Sequence, residues 1–114
     1  MQKVRQLPIP KVGNREQAMG LRELTQRHQE EILSIARRNG AVWISLFGSA
    51  GRGEDRPGSD LDVLVNLAPG RTLLDVVAIK QDLEDLLHVP VDVVTERSVS
   101  PYMREEILRQ AVAL

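Results

Sequence analysis

Apolar residues recur three and four apart from Leu21 to Ala36. Leu21, Leu24, Ile32, Ile35 and Ala36 share a helical stripe with His28. Asn14 and Gln17 form a capping-box pair before it, and Arg37-Arg38-Asn39-Gly40 supplies a basic last turn and a glycine stop, so one amphipathic helix is predicted over 14–40. Val42 to Phe47 is β-branched and aromatic between Gly40 and Gly48, which predicts a buried strand. After the polar segment GSAGRGEDRPGS, residues 60–67 alternate strictly. Leu61, Val63, Val65 and Leu67 point one way; Asp60, Asp62, Leu64 and Asn66 point the other. Thr72 and Asp75 open a second helix whose stripe (Val76, Ile79, Leu83, Leu86) runs through Leu87. Pro90 precedes a short β-branched strand over 91–95, and Ser100-Pro101 opens a last helix with Met103, Ile107, Ala111 and Leu114 on one face.

The predicted order is α-β-β-α-β-α, without internal repeats. It implies an α/β fold: a small mixed twisted sheet with helices packed on one face and the carboxylates on the exposed end of the other. A chain of 114 residues with 42% hydrophobic and 27% charged residues is expected to fold as one domain rather than stay disordered. Residues 1–13, with Pro8, Pro10 and Gly13, read as an arm and 14–114 as the domain. The absence of cysteine excludes disulfides and thiolate metal sites. No secretory apolar core or membrane-length run is seen, so a cytoplasmic chain is expected and no membrane partner. Residues 1–40 hold 8 Lys/Arg against 4 Asp/Glu, but this excess reads as a solvated surface. No basic stripe interleaved with aromatics is present, so a nucleic-acid partner is not expected.

The chemistry-bearing residues fall in the middle of the chain. Residues two apart on a strand share a face with Cα atoms about 6.5–7 Å apart, so Asp60 and Asp62 can converge on a divalent ion. Two such charges repel without a cation. Mg²⁺ is the natural candidate, with Mn²⁺ as a substitute, because the donors are hard oxygens and no Cys or His lies near them. Asp92 has the opposite parity to Val91 and Val93; if its strand neighbours that of Asp62, three carboxylates form one set able to hold two Mg²⁺ ions, with Asp92 also placed as a base. Gly48 and Ser49 stand where a strand ends. There a glycine admits a phosphate close to the backbone, and N–H and hydroxyl groups can donate to it. The spacing fits neither a P-loop nor a dinucleotide fingerprint.

The stretch Phe47-Gly48-Ser49-Ala50-Gly51-Arg52-Gly53, then Arg56, then Ser59-Asp60-Leu61-Asp62-Val63 resembles the signature of the DNA polymerase β-like nucleotidyltransferases. More narrowly it is similar to the small "minimal nucleotidyltransferase" (MNT) family. That family's Arg-Gly and Ser-Asp elements stand here at Arg52-Gly53 and Ser59-Asp60, and its third aspartate matches Asp92 in VDVV. Gly51 stands where many relatives have alanine. The resemblance covers residues 41–96, which makes that span the expected catalytic core, flanked by the helix over 14–40 and a C-terminal helix over 97–114. It implies that Gly48 and Ser49 hold the phosphates of ATP or another NTP, that Asp60 and Asp62 ligate metal, and that Asp92 completes the catalytic triad. Arg52, Arg56 and Ser59 become further nucleotide contacts; a solvated loop charge is the competing reading for both arginines.

The resemblance further implies a small helical HEPN-type protein as partner, this chain as antitoxin, and AMP transfer to a hydroxyl of that partner. Two alternatives stand beside it: a non-catalytic nucleotide-binding antitoxin that occludes its partner, and a nucleotidyltransferase acting on a small molecule of the aminoglycoside type. A docking face is expected around Leu24 and Ile32 or around Met103 and Ile107, wherever the core leaves one free. His28 and His88 read as structural, Trp43 as core and Tyr102 as packing.

Overall fold

Residues 20–56 and 58–114 are described by the computed structural model; the arm and the Asn14–Gln17 pair lie outside them. Two helices, α1 (Leu21–Arg27) and α2 (Gln29–Arg38), occupy the described part of the single helix expected over 14–40. The break falls at His28, with φ −107° and ψ 24°. Its physical reason is that the two halves serve different partners: α2 packs on the first strand, whereas α1 packs on the short helix that follows that strand. A straight rod could not follow both surfaces.

The remaining elements are β1 (Ala41–Phe47), α3 (Gly48–Arg52), β2 (Leu61–Leu67), α4 (Leu73–Leu87), β3 (Val91–Thr95), a 3-10 turn (Glu96–Ser98), α5 (Pro101–Gln110) and β4 (Val112–Ala113). The sheet order is β3-β2-β1-β4. β1 runs antiparallel to both β2 and β4, and β2 runs parallel to β3, with α4 as the crossover that a parallel pair requires. The sheet is mixed, as the residue pattern predicts. α4 opens on the expected capping box: the Leu74 N–H donates to Thr72 Oγ1 (3.2 Å) and the Thr72 N–H to Asp75 Oδ2 (2.9 Å). It closes at His88, whose φ of 58° gives that residue the structural place expected of it.

One correction concerns the C-terminus. The last helix stops at Gln110 rather than reaching Leu114. Val112 and Ala113 pair with Leu46 and Ser45, and the Leu114 N–H donates to the Ile44 carbonyl (3.3 Å). The edge of β1 would otherwise leave backbone groups unpaired, and strand pairing lets Val112 and Leu114 pack on the core.

That core lies between the sheet and its helices. Val63, Val65, Ile79 and Leu83 are wholly inaccessible, and Ile32, Ile44, Leu46 and Leu61 nearly so; each such side chain stabilises the fold by about 1.5–3 kcal/mol. Leu64 has the parity of Asp62, not of the core residues, yet it too is fully buried. The carboxylate-bearing face is therefore covered at its middle and open at its end. Two further expectations change. Trp43 is half-buried and outside the main core, and Tyr102 is 96% exposed rather than packed, because α5 contributes no residue to that core.

Candidate active site

β1 delivers Phe47 to the end of the sheet, and the chain turns at once into α3. Gly48 has φ +65°, a left-handed conformation that costs L side chains energy, and a Cβ built on it would lie 2.4 Å from Asp62 Oδ2. A glycine is needed there because the backbone passes against a carboxylate. No side chain caps α3, so the N–H groups of its first turn are left for water or an anion. Gly53, with φ +72°, ends the helix, and its N–H donates to the Ala50 carbonyl (3.1 Å).

Asp62 is the centre of the arrangement. It lies opposite Phe47 in the antiparallel register and opposite Asp92 in the parallel one. Neighbouring strands stand about 4.8 Å apart, so the Asp62 and Asp92 side chains start from adjacent points at one level of the sheet. Asp60 is not on the strand as the alternation suggested; β2 begins at Leu61, and Asp60 is the exposed residue just before it. Its loop is shaped by Ser59: the Arg56 N–H donates to Ser59 Oγ (2.9 Å) and the Ser59 N–H to the Arg56 carbonyl (2.9 Å).

The carboxyl of Asp62 is pushed above its usual range, first by burial, then by the negative charges of Asp92 and Asp60, while Arg52 pulls it down. All three aspartates thus share one field. They do not close into a cage, since among the described residues no three metal-ligating side chains are gathered for an ion. The donor set still fits Mg²⁺, which is usually held by one or two carboxylates together with substrate phosphates rather than by an all-protein cage.

The other predicted contacts divide. Arg52 lies near enough to act on Asp62, but its Nε donates to Glu54 Oε1 (2.8 Å). Arg56 is exposed. Ser49 is half-buried within α3, its carbonyl accepting from the Glu54 N–H (2.8 Å). The Ser59 hydroxyl serves the loop, as described. A separate hollow of about 240 Å³ opens at the far end of the sheet, lined by Asn66, Arg71, Thr72, Thr95 and Arg97, and holds none of the predicted site residues. The carboxylates stand elsewhere, on a ledge where Asp60 and Asp92 are exposed and Asp62 is half-buried.

Sequence reasoning missed the residues that hold this ledge in place. Glu84 Oε2 accepts from the Val91 N–H (2.9 Å) and from Lys80 Nζ (2.9 Å), while Lys80 Nζ also donates to the Val91 carbonyl (2.7 Å). Both backbone groups of the residue before Asp92 are thereby fixed to α4. Those hydrogen bonds, the Val91 amide first and Lys80 next, hold the Glu84 carboxyl below its usual range. The Lys80–Glu84 spacing of four is visible in sequence, but its target is not. Arg22, which joins α1 to α3, and Asp55, which ties the loop after α3 to α1, carried no local signal.

Gly48 and Ser49 thus lead from β1 into a short helix, and Asp62 and Asp92 stand level on two parallel neighbouring strands. The chain belongs to the nucleotidyltransferase domain family, whose model matches residues 29–114. It is 39% identical over 84 residues to a Methanocaldococcus jannaschii protein assigned as a protein adenylyltransferase, covering 74% of this chain and 90% of that one. To the protein adenylyltransferase MntA of Thermococcus cleftensis it is 34% identical over 94 residues, covering 78% and 95%. Among solved structures it is similar to a minimal nucleotidyltransferase (48% identity, TM-score 0.76, covering 82% of this chain and 95% of that one). It is also similar to a complex of the tri-AMPylated Shewanella oneidensis HEPN toxin with its MNT antitoxin (25% identity, TM-score 0.60, covering 78% and 70%). The chain is a nucleotidyltransferase enzyme of the minimal type. No helix among the described residues is long and apolar enough to cross a membrane.

Proposed function

We propose that this chain transfers AMP from ATP to a hydroxyl of a HEPN-type partner protein, as the antitoxin of a toxin–antitoxin pair. The observation that carries this reading is the place of Asp62, in register with Asp92 on one side and against the Gly48 backbone on the other. The uncapped first turn of α3, with Gly48 and Ser49, takes the phosphates, and Arg52 lies beside them, with Arg56 and Ser59 on the loop beyond. Asp60, Asp62 and Asp92 would hold Mg²⁺, which supplies charge compensation for the triphosphate and acidifies the acceptor hydroxyl. Asp92 accepts the proton of that hydroxyl. The acceptor's oxygen forms a bond to the α-phosphorus, and the bond from that phosphorus to the oxygen bridging it to the β-phosphorus breaks, releasing pyrophosphate.

The names of the relatives support adenylyl transfer, and the AMPylated toxin of the Shewanella complex supports a protein acceptor. Of the two docking faces expected, Leu24 and Ile32 are consumed by the core, whereas Met103 on α5 is 58% exposed beside the exposed Tyr102. α5 contacts α3, so a partner seated there would lie near the site. The test is incubation with a HEPN-type partner and ATP labelled at the α- or the γ-phosphate, plus Mg²⁺. Label should enter the partner from the α-position alone and vanish with Asp60→Ala/Asp62→Ala. A partner neutralised equally by that double variant, without label, would establish occlusion instead.

A further inference from the structure

We infer that α1, which lies outside the span matched by the family model, is part of the catalytic apparatus: Arg22 and Asp55 are positioning residues that hold α3 and its loop in register with Asp62. This rests on the reading of α3 as the phosphate cradle. The inference starts from how little α3 has to hold itself together. It is five residues long, contains Gly48 and Gly51, ends on Gly53, and has no side-chain cap. A helix of that length and composition has no stability of its own in water and takes its shape from tertiary contacts.

β1, β2 and α5 supply some of those contacts, and α1 supplies others. The Arg22 guanidinium donates through Nη2 to the Gly51 carbonyl, a cation at the C-terminal end of α3 where the helix dipole favours one. A Cβ on Gly53 would lie 4.0 Å from Arg22 Cζ, so the guanidinium also sits against the turn that ends α3. On the other side, the Leu21 N–H donates to Asp55 Oδ2 (2.8 Å), which ties the loop beyond α3 to the start of α1. α1 is itself anchored: Leu24 is 1% exposed and Thr25 fully buried, its Oγ1 donating to the Arg22 carbonyl (2.8 Å). Among the described residues, Arg22 Nε is buried without a partner. A buried donor left unpaired is a standing cost, and here it accompanies the reach of the guanidinium to one carbonyl of the nucleotide helix. The clasp therefore links a rigid part of the core to a part that has no rigidity of its own, next to the residue whose backbone touches Asp62.

The experiment follows amide hydrogen exchange and nucleotide affinity together in the whole chain. The variants are Arg22→Met, which keeps the stem and loses the donors, Arg22→Lys, which keeps a charge, and Asp55→Ala; the probe is a non-hydrolysable ATP analogue with Mg²⁺. In Arg22→Met the amides of Gly53 and Glu54, bonded to Ala50 and Ser49, should exchange faster while those of Val63 and Val65 stay at wild-type rates. Kd for the analogue should rise on the order of tenfold, because the cradle is no longer preorganised. Arg22→Lys should recover part of both effects. Unchanged exchange at Gly53 and Glu54, exchange that rises equally in β2, or an unchanged Kd would overturn the proposal. Should Arg22→Met fail to fold, Asp55→Ala is followed at the same amides: local loosening supports the clasp, and global or absent change refutes it. A wild type that binds no nucleotide would instead overturn the reading of α3 as a phosphate cradle, and is seen without any variant.

Discussion

Gly48→Ala separates what the fold needs from what the site needs. Two penalties apply at this position. The left-handed φ of +65° costs an L side chain about 1–2 kcal/mol. The new Cβ would also stand 2.4 Å from Asp62 Oδ2, with Asp62 Cγ and Cβ at 3.2 and 3.3 Å. A carboxylate can swing away, so the second penalty falls less on stability than on where Asp62 ends up. For a domain of this size the backbone term should lower Tm by about 5–10 °C. Nucleotide affinity and AMP transfer should fall far more, on the order of a hundredfold, because a displacement near 1 Å at a catalytic group is enough for that. The discriminating measurement is a double-mutant cycle with Asp62→Ala, read by thermal unfolding in EDTA. Removing the carboxylate removes the 2.4 Å contact but leaves φ unchanged. Gly48→Ala should therefore remain destabilising in the Asp62→Ala background, by less than in wild type. A Gly48→Ala protein with wild-type Tm and affinity would refute the conformational argument, and a cycle with no coupling would refute the steric one.

Asp62→Asn should act in opposite directions in the absence and presence of ligand. Its carboxyl is raised by burial and by Asp92 and Asp60, so the charged form weakens the metal-free fold at neutral pH. Screened by solvent, its removal should stabilise by about 0.2–1 kcal/mol, a rise of a few degrees in Tm. With Mg²⁺ and ATP at about a hundred times the wild-type Kd, the wild type gains about 2.7 kcal/mol that the variant loses. A variant less stable than wild type in EDTA would mean that Asp62 has a structural partner. Acid should expose the Glu84 clasp. Glu84 and Glu96 are held below their ordinary 4.5, so the stability they contribute is present above that pH and is lost as pH falls through their lower folded-state values. Asp62, shifted upward, opposes this loss over the interval above its ordinary 3.8. The urea midpoint followed from pH 7 to 3 should fall below about pH 4.5, and by less in Glu84→Gln. Identical acid limbs in the two proteins would show that Glu84 contributes nothing to the acid response.

The sequence by itself determined the elements with a strong period and the residues that sit at their ends. The alternation from Leu61 to Leu67 places Asp62 on the face away from Val63 and Val65, and the opposite parity of Asp92 follows from Val91 and Val93 in the same way. The Thr72–Asp75 pair marks the start of α4 because capping is a contact between near neighbours, and Gly48 stands out because only glycine accepts that backbone at no cost. The tertiary structure decided everything that depends on residues far apart in the chain. It pairs β2 with β3 in parallel, bringing Asp62 level with Asp92, and it converts the last residues from helix to an edge strand because β1 offers unpaired backbone groups. It breaks the first helix at His28, leaves Tyr102 in solvent, and starts β2 at Leu61, so that Asp60 stands outside the strand. The contacts of Arg22 with Gly51, of Asp55 with Leu21, and of Lys80 and Glu84 with Val91 span 29, 34, 11 and 7 residues. No period or cap encodes such distances; each is set by where the packed core happens to place two backbones, and that is a property of the fold rather than of any window of the sequence.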